Sequence, residues 1–204
     1  METLYFIAGL GNPGSEYANT RHNAGFSVVE RLASRWHAVW KYEKRFKARL
    51  TWAERGARKV LLGQPQTFMN LSGESVGVLA QFYRVDLGRV LVIVDDADLP
   101  LGSLRLRPGG SSGGHHGLES VEQHLGSRDY ARLRVGIGRR DSRRDIAGHV
   151  LGRFGSTETD LADKILTVAA DQAETWLTAG IQQAMSRYNG APLGGESADE
   201  GKAQ

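Results

Sequence analysis

A histidine and a run of aspartates are the groups here that could activate water. His22 lies in YANTRHNAG, just ahead of an apolar-periodic segment, while Asp95, Asp96 and Asp98 end the run VLVIVDDADLP (90–100). Asn12 closes an earlier apolar run, FIAGLGN. In open α/β sheets, sites form beyond the carboxyl ends of the strands. Two such ends, with a helix entry carrying His22 behind the first, would bring a base, an orienting carboxylate and a neutral amide to one edge. A carboxylate on one ring nitrogen fixes the tautomer and leaves the other nitrogen to take a proton from water. That set points to hydrolysis by water itself.

Three rival chemistries carry weaker patterns. Gly9, Gly11 and Gly14 spell the G-x-G-x-x-G of dinucleotide sites, but Pro13 removes an N–H that pyrophosphate would need, and SEYANT follows where a packed helix should. The nearest acid of suitable spacing, Glu30, falls inside a helical pattern and not at a strand end. Gly109, Ser111 and Gly113 match G-x-S-x-G, with Asp129 and His149 in hydrolase order, yet Pro108 and flanking glycines replace the strand and helix of a nucleophile elbow. His115, His116, Glu119 and His124 lack H-E-x-x-H spacing, so no metal site is expected.

The elements needed to position the first set can be read from periodicity. Leu4–Leu10 reads as a buried strand broken by GNPG. A helix starting near Thr20 or His22 would bury Val28, Val29, Leu32, Ala33 and Trp36. Strands around Phe46–Trp52 and Lys59–Leu62 flank a turn at Arg55–Gly56. A second helix is expected from Asn70 or Ser72 to about Arg84, with Asn70 a candidate cap. Leu101–Arg107 alternates as a half-exposed strand, PGGSSGGHHG (108–117) is a glycine loop, and a short helix covers Leu118–Leu125. A strand at 133–138, a long helix over about Thr157–Ala179 and a last turn or two ending near Tyr188 complete the chain. Interleaved strands and helices predict one α/β domain over 1–190, a twisted, mixed, mostly parallel sheet with helices on both faces, and a disordered polar tail at 191–204.

Composition narrows the partners. With no cysteine among 204 residues there are no disulfides and no thiolate nucleophile. The start METLYFIAGL lacks the pattern of a signal peptide, and no apolar run approaches a membrane span, so a cytoplasmic protein without a membrane partner is expected. Twenty arginines against six lysines, nine of them between Ser103 and Arg144, suit phosphate, which a guanidinium fork binds through paired hydrogen bonds.

Five separated segments, GLGNPGSEYANTRHNAG (9–25), TFMNLSG (67–73), DDADLP (95–100), GGHHGL (113–118) and RLRVGIG (132–138), together resemble the bacterial-type peptidyl-tRNA hydrolases over about residues 4–188. The resemblance implies hydrolysis of the ester joining a peptide to the 3′ ribose of tRNA, with tRNA as partner, no cofactor, no metal and a monomer. It gives His22 the role of general base, Asp95 that of its orienting acid, and Asn12 and Asn70 those of amides that place substrate and water. Tyr17 and Met69 would line the substrate channel, and His115 would belong to the glycine loop. Arg107 and Arg134 would clamp the 5′ phosphate. The family's G-G-H-N-G has His116 in place of its asparagine, which changes the donor and acceptor pair offered to substrate there.

Overall fold

The computed structural model describes residues 3–138 and 146–190; the expected polar tail at 191–204 lies outside them. Seven strands form one sheet in the order β2-β3-β4-β1-β5-β7-β6. Its centre is parallel: β1 (Thr3–Gly9) lies between β4 (Arg58–Pro65) and β5 (Val90–Asp96), and β7 (Ala131–Gly136) follows β5. The hairpin strand β3 (Ala48–Arg55), the edge strand β2 (Lys41–Glu43) and β6 (Leu104–Arg107) each pair antiparallel to their neighbours.

Alternation along the central strands builds two cores. Ile7, Leu91 and Ile93 face α1 (Ala24–Arg35) and α5 (Thr159–Ala179), packing with Val28, Leu32, Ile165, Ala169 and Trp176. Phe6, Ala8, Val90, Val92 and Val94 face the other way, onto Val76 and Leu79 of α2 (Ser72–Phe82) and Leu118 and Val121 of α3 (His116–Leu125). A side-chain period of two thus makes β1 and β5 apolar on both faces, as strands covered by helices on each side must be. Short helices α4 (Ile146–Leu151) and α6 (Ile181–Tyr188) complete the fold.

The glycines of the opening motif have a packing role. A Cβ at Gly9 would collide with the Gly25 carbonyl, and one at Gly25 with the carbonyls of Ile93 and Leu10. Two glycines therefore let the start of α1 sit directly on the ends of β1 and β5. Leu10 N–H donates to the Ile93 carbonyl (2.9 Å) and Phe26 N–H to the Leu10 carbonyl (3.2 Å), which fixes that approach. The expected class and the main elements are present. α3 begins two residues earlier than periodicity predicts, β7 is shifted toward the N-terminus, and β2 and α4 had no counterpart in the sequence reading.

Candidate active site

The carboxyl ends of β1 and β5 open into a cleft of about 810 Å³ lined by Asn12, His22, Met69, Asn70, Asp95 and His115, among others. His22 sits in a 3-10 turn, Arg21–Asn23, immediately before α1. Its Nδ1 lies 2.9 Å from Oδ1 and 3.0 Å from Oδ2 of Asp95, the penultimate residue of β5, which is only 2% exposed. Facing an ionised carboxylate, Nδ1 carries the proton, so Nε2 is left as the basic nitrogen.

Asp95 serves a second imidazole. His115 Nδ1 accepts from the N–H groups of Gly117 (3.1 Å) and Leu118 (3.3 Å) and so caps α3. A nitrogen accepting twice bears no proton; the proton is on Nε2, which donates to Asp95 Oδ1 at 3.2 Å. Burial opposes ionisation of Asp95, but the hydrogen bonds from His115 and His22 outweigh it and bring its carboxyl down to about 2. The carboxylate is therefore charged wherever His22 can act as a base. His115 stands where the glycine loop meets α3 and links that helix start to Asp95. Using a histidine as cap is what moves the helix start to His116.

Asn12 is aimed by its surroundings. Met69 N–H donates to its Oδ1 (2.7 Å), which leaves Nδ2 as a donor toward the cleft. The side chain of Asn23 holds the main chain of Asn12 at two points: Asn12 N–H donates to Asn23 Oδ1 (2.8 Å), and Asn23 Nδ2 donates to the Asn12 carbonyl (3.0 Å). Asn70 lies in the adjoining 3-10 turn Met69–Leu71, exposed and on the cleft wall. It does not cap α2, whose cap position is Leu71 with no side-chain bond.

Met69 is buried and lines the cleft. Tyr17 is half-buried in the turn Ser15–Tyr17 and lies outside the cleft lining. Phe68, just before the turn Met69–Leu71, and Val150 and Leu151, at the end of the short helix α4, form an apolar rim that sequence reasoning missed, because apolar residues alone carry no chemical signal. Asp96 makes the turn after β5, accepting from Asp98 N–H at 2.8 Å.

The arginines share one sheet face. In the β6–β7 register Arg105 opposes Arg134 and Arg107 opposes Arg132, so all four side chains lie on the α2–α3 side. Arg132 is buried against Glu122. Arg134 donates to Asp96 Oδ2 (3.1 Å) and to the carbonyls of Ser111 (3.2 Å) and Ser112 (2.7 Å), tying the glycine loop to the end of β5. Arg107 is exposed, diagonal to Arg134 on the same face and outside the cleft lining. His116, 78% exposed on its side chain, pairs with Glu119 at 2.9 Å and stands on the cleft wall.

The serine-elbow residues and the loop histidines do not assemble into sites. Ser111 is an exposed loop residue whose carbonyl serves Arg134, and His149 donates to the Gly138 carbonyl (2.8 Å). His116 turns to Glu119 while His124 Nδ1 lies 2.8 Å from the Ser120 carbonyl, so those histidines diverge. Among the described residues, only His22, Asp95 and His115 bring metal-ligating atoms together, within 4.8 Å of one another. Both imidazoles of that group are already hydrogen-bonded to Asp95, through His22 Nδ1 and His115 Nε2.

The sequence signature of the family described as peptidyl-tRNA hydrolase matches residues 6–196. A peptidyl-tRNA hydrolase of Synechococcus sp. (strain JA-2-3B'a(2-13)) is 47% identical over 199 residues, covering 97% of this chain and 88% of its own. One from Mycobacterium avium (strain 104) is 45% identical over 183 residues, covering 90% and 96%. The crystal structure of the Acinetobacter baumannii peptidyl-tRNA hydrolase superposes with a TM-score of 0.86 at 38% identity, covering 94% of this chain and 98% of that one. On its sequence and its fold, this chain belongs to the peptidyl-tRNA hydrolase family.

Proposed function

We propose that this protein cleaves the ester between a peptidyl group and the 3′ ribose of tRNA, with His22 as general base. A water at Nε2 of His22 loses its proton to that nitrogen as its oxygen attacks the ester carbonyl carbon. Asp95 holds the ring in the required tautomer and stabilises the imidazolium. The Nδ2 of Asn12, with Asn70 beside it, donates to the oxygen on which negative charge develops; one such donor contributes about 3 kcal/mol. The carbon–oxygen bond to the ribose then breaks, and the proton on His22 passes to the departing 3′ oxygen. The acid formed gives its remaining proton to solvent, so peptide carboxylate and tRNA with a free 3′ hydroxyl are the products. An ester is activated enough for this route to need neither a covalent nucleophile nor a cofactor or metal.

The observation that carries the reading is the His22–Asp95 pair at the head of a cleft walled by two asparagines. Met69 and the Phe68–Leu151 rim supply an apolar wall for the peptide and terminal nucleotide; Tyr17, which lies outside that lining, would meet only substrate that extends beyond it. His115 and His116 bring the glycine loop to the substrate. Arg107 and Arg134 are suited to the 5′ phosphate, and the arginine face to the RNA backbone. The protein would work as a cytoplasmic monomer; no helix among the described residues is long and apolar enough to cross a membrane.

The test is hydrolysis of N-acetyl-aminoacyl-tRNA beside unblocked aminoacyl-tRNA, each with and without EDTA. Cleavage of the blocked substrate alone, unchanged by chelator, is the expected result. Equal cleavage of both would remove the peptidyl specificity, and loss on chelation would remove the metal-free mechanism. The same scaffold acting only as an RNA-binding protein would give binding without turnover.

A further inference from the structure

Asn12 lies past the end of β1, between Gly11 and Pro13, where no strand neighbours its main chain. Both of its peptide groups are nonetheless satisfied, and by a single side chain. Asn23 accepts from the Asn12 N–H at 2.8 Å and donates to the Asn12 carbonyl at 3.0 Å, with both residues buried. A primary amide is the one neutral side-chain group that offers an acceptor and a donor side by side at this length. The fit is enforced from the other side too: a Cβ at position 11 would press on Asn23 Oδ1, so Gly11 leaves the space that the clasp occupies. Once its main chain is clasped, the Asn12 side chain is fixed by the Met69 N–H on Oδ1. Turning the amide over would set its NH₂ against that N–H.

Asn23 also follows His22 directly, in the same three-residue turn. One turn therefore carries the base and grips the strand end that presents the amide. We infer that Asn23 is a positioning residue for the hydrolysis, touching no substrate and acting by holding the Asn12 amide at a fixed place relative to His22. This rests on the role proposed above for Asn12.

The experiment is a double-mutant cycle on N-acetyl-aminoacyl-tRNA turnover with Asn12→Ala and Asn23→Leu, Leu being close to Asn in size but without its hydrogen bonds. Losing one oxyanion donor costs about 10²–10³ in kcat, so a misplaced one is expected to cost about tenfold or more, with KM changed less than about twofold. In the Asn12→Ala background, Asn23→Leu should cost nothing further, since the two changes remove one interaction. Asn23→Asp, which keeps the acceptor for the Asn12 N–H, should restore part of kcat. Losses that multiply across the cycle, or an unchanged kcat in Asn23→Leu, would overturn the assignment. If Asn23→Leu does not fold, Asn23→Asp decides: its Asn12 side-chain amide signals should move in nitrogen-15 spectra, and unmoved signals would refute the clasp. Because that spectrum needs no turnover, failure of the clasp is distinguishable from failure of the proposed reaction, which would show as an inactive wild type.

Discussion

Nδ1 of His22 stands 2.9 Å from Oδ1 of Asp95 although 73 positions separate them in the chain. The contact exists because Gly9 and Gly25 let the turn that carries His22 settle onto the ends of β1 and β5. His115 completes the arrangement from the start of α3, so one carboxylate fixes the tautomer of one imidazole and is itself steadied by another.

That shared carboxylate sets a window of acid stability. In the folded protein Asp95 ionises at about 2, against 3.8 for an unperturbed group. As pH falls the unfolded chain takes up this proton first. The contribution of ionised Asp95 is therefore complete above about pH 4 and is lost as pH falls through about 2. Urea unfolding of the wild type and Asp95→Asn is expected to differ most near neutral pH, with the gap closing across that window. A gap independent of pH would mean that the carboxylate is not held by the imidazoles.

His115→Ala removes a helix cap and one of Asp95's two partners together. Loss of a side-chain cap costs about 1 kcal/mol, and the lost bond to Asp95 adds to it, so the unfolding free energy should fall by at least that amount. Turnover should fall less than in His22→Ala, because Nδ1 of His22 keeps its own bond to Asp95. A His115→Ala enzyme as inactive as His22→Ala would place His115 in the chemistry itself.

The two arginines should behave differently. Arg107, exposed, is expected to act as a plain phosphate contact; Arg107→Ala should weaken tRNA binding and reduce the salt slope by about one. Arg134 also secures the carbonyls of Ser111 and Ser112. Arg134→Ala should reduce the slope similarly and, in addition, speed amide hydrogen exchange in residues 111–115. Unchanged salt slopes in both variants would argue against the clamp.

At Gly9 the prediction concerns packing. Gly9→Ala sets a methyl group against the Gly25 carbonyl, and overpacking of this kind costs about 1–3 kcal/mol. A drop in urea midpoint without a change in the denaturant slope is expected. An unchanged midpoint would mean that α1 can retreat from β1 without penalty.

Much of this was legible in the sequence, and the limits have physical causes. The two-sided apolar strands around Ile7 and Ile93 announce a helix-covered sheet, and Asp95 announces itself by ending one. His22 precedes a clear apolar helix face. What stayed hidden depends on contacts between distant main-chain groups. Asn23 looks like any asparagine at a helix start until the main chain of Asn12 is placed beside it. His115 looks like a loop residue because histidine is an unusual cap, and its role is defined by Gly117, Leu118 and Asp95 together. β2 is three exposed residues with no alternation to detect, and α4 is too short for a period. The arginine register, which sets Arg105 and not Arg107 opposite Arg134, depends on strand pairing that composition does not encode.

The most direct test of the central claim is single-turnover hydrolysis of N-acetyl-aminoacyl-tRNA by wild type and His22→Ala at matched, saturating enzyme. A general base contributes about 10²–10⁴ in rate, so the variant is expected to fold, to bind the substrate with near-normal affinity and to cleave it at least about a hundredfold more slowly. A folded His22→Ala protein that retains half the wild-type rate would contradict the account.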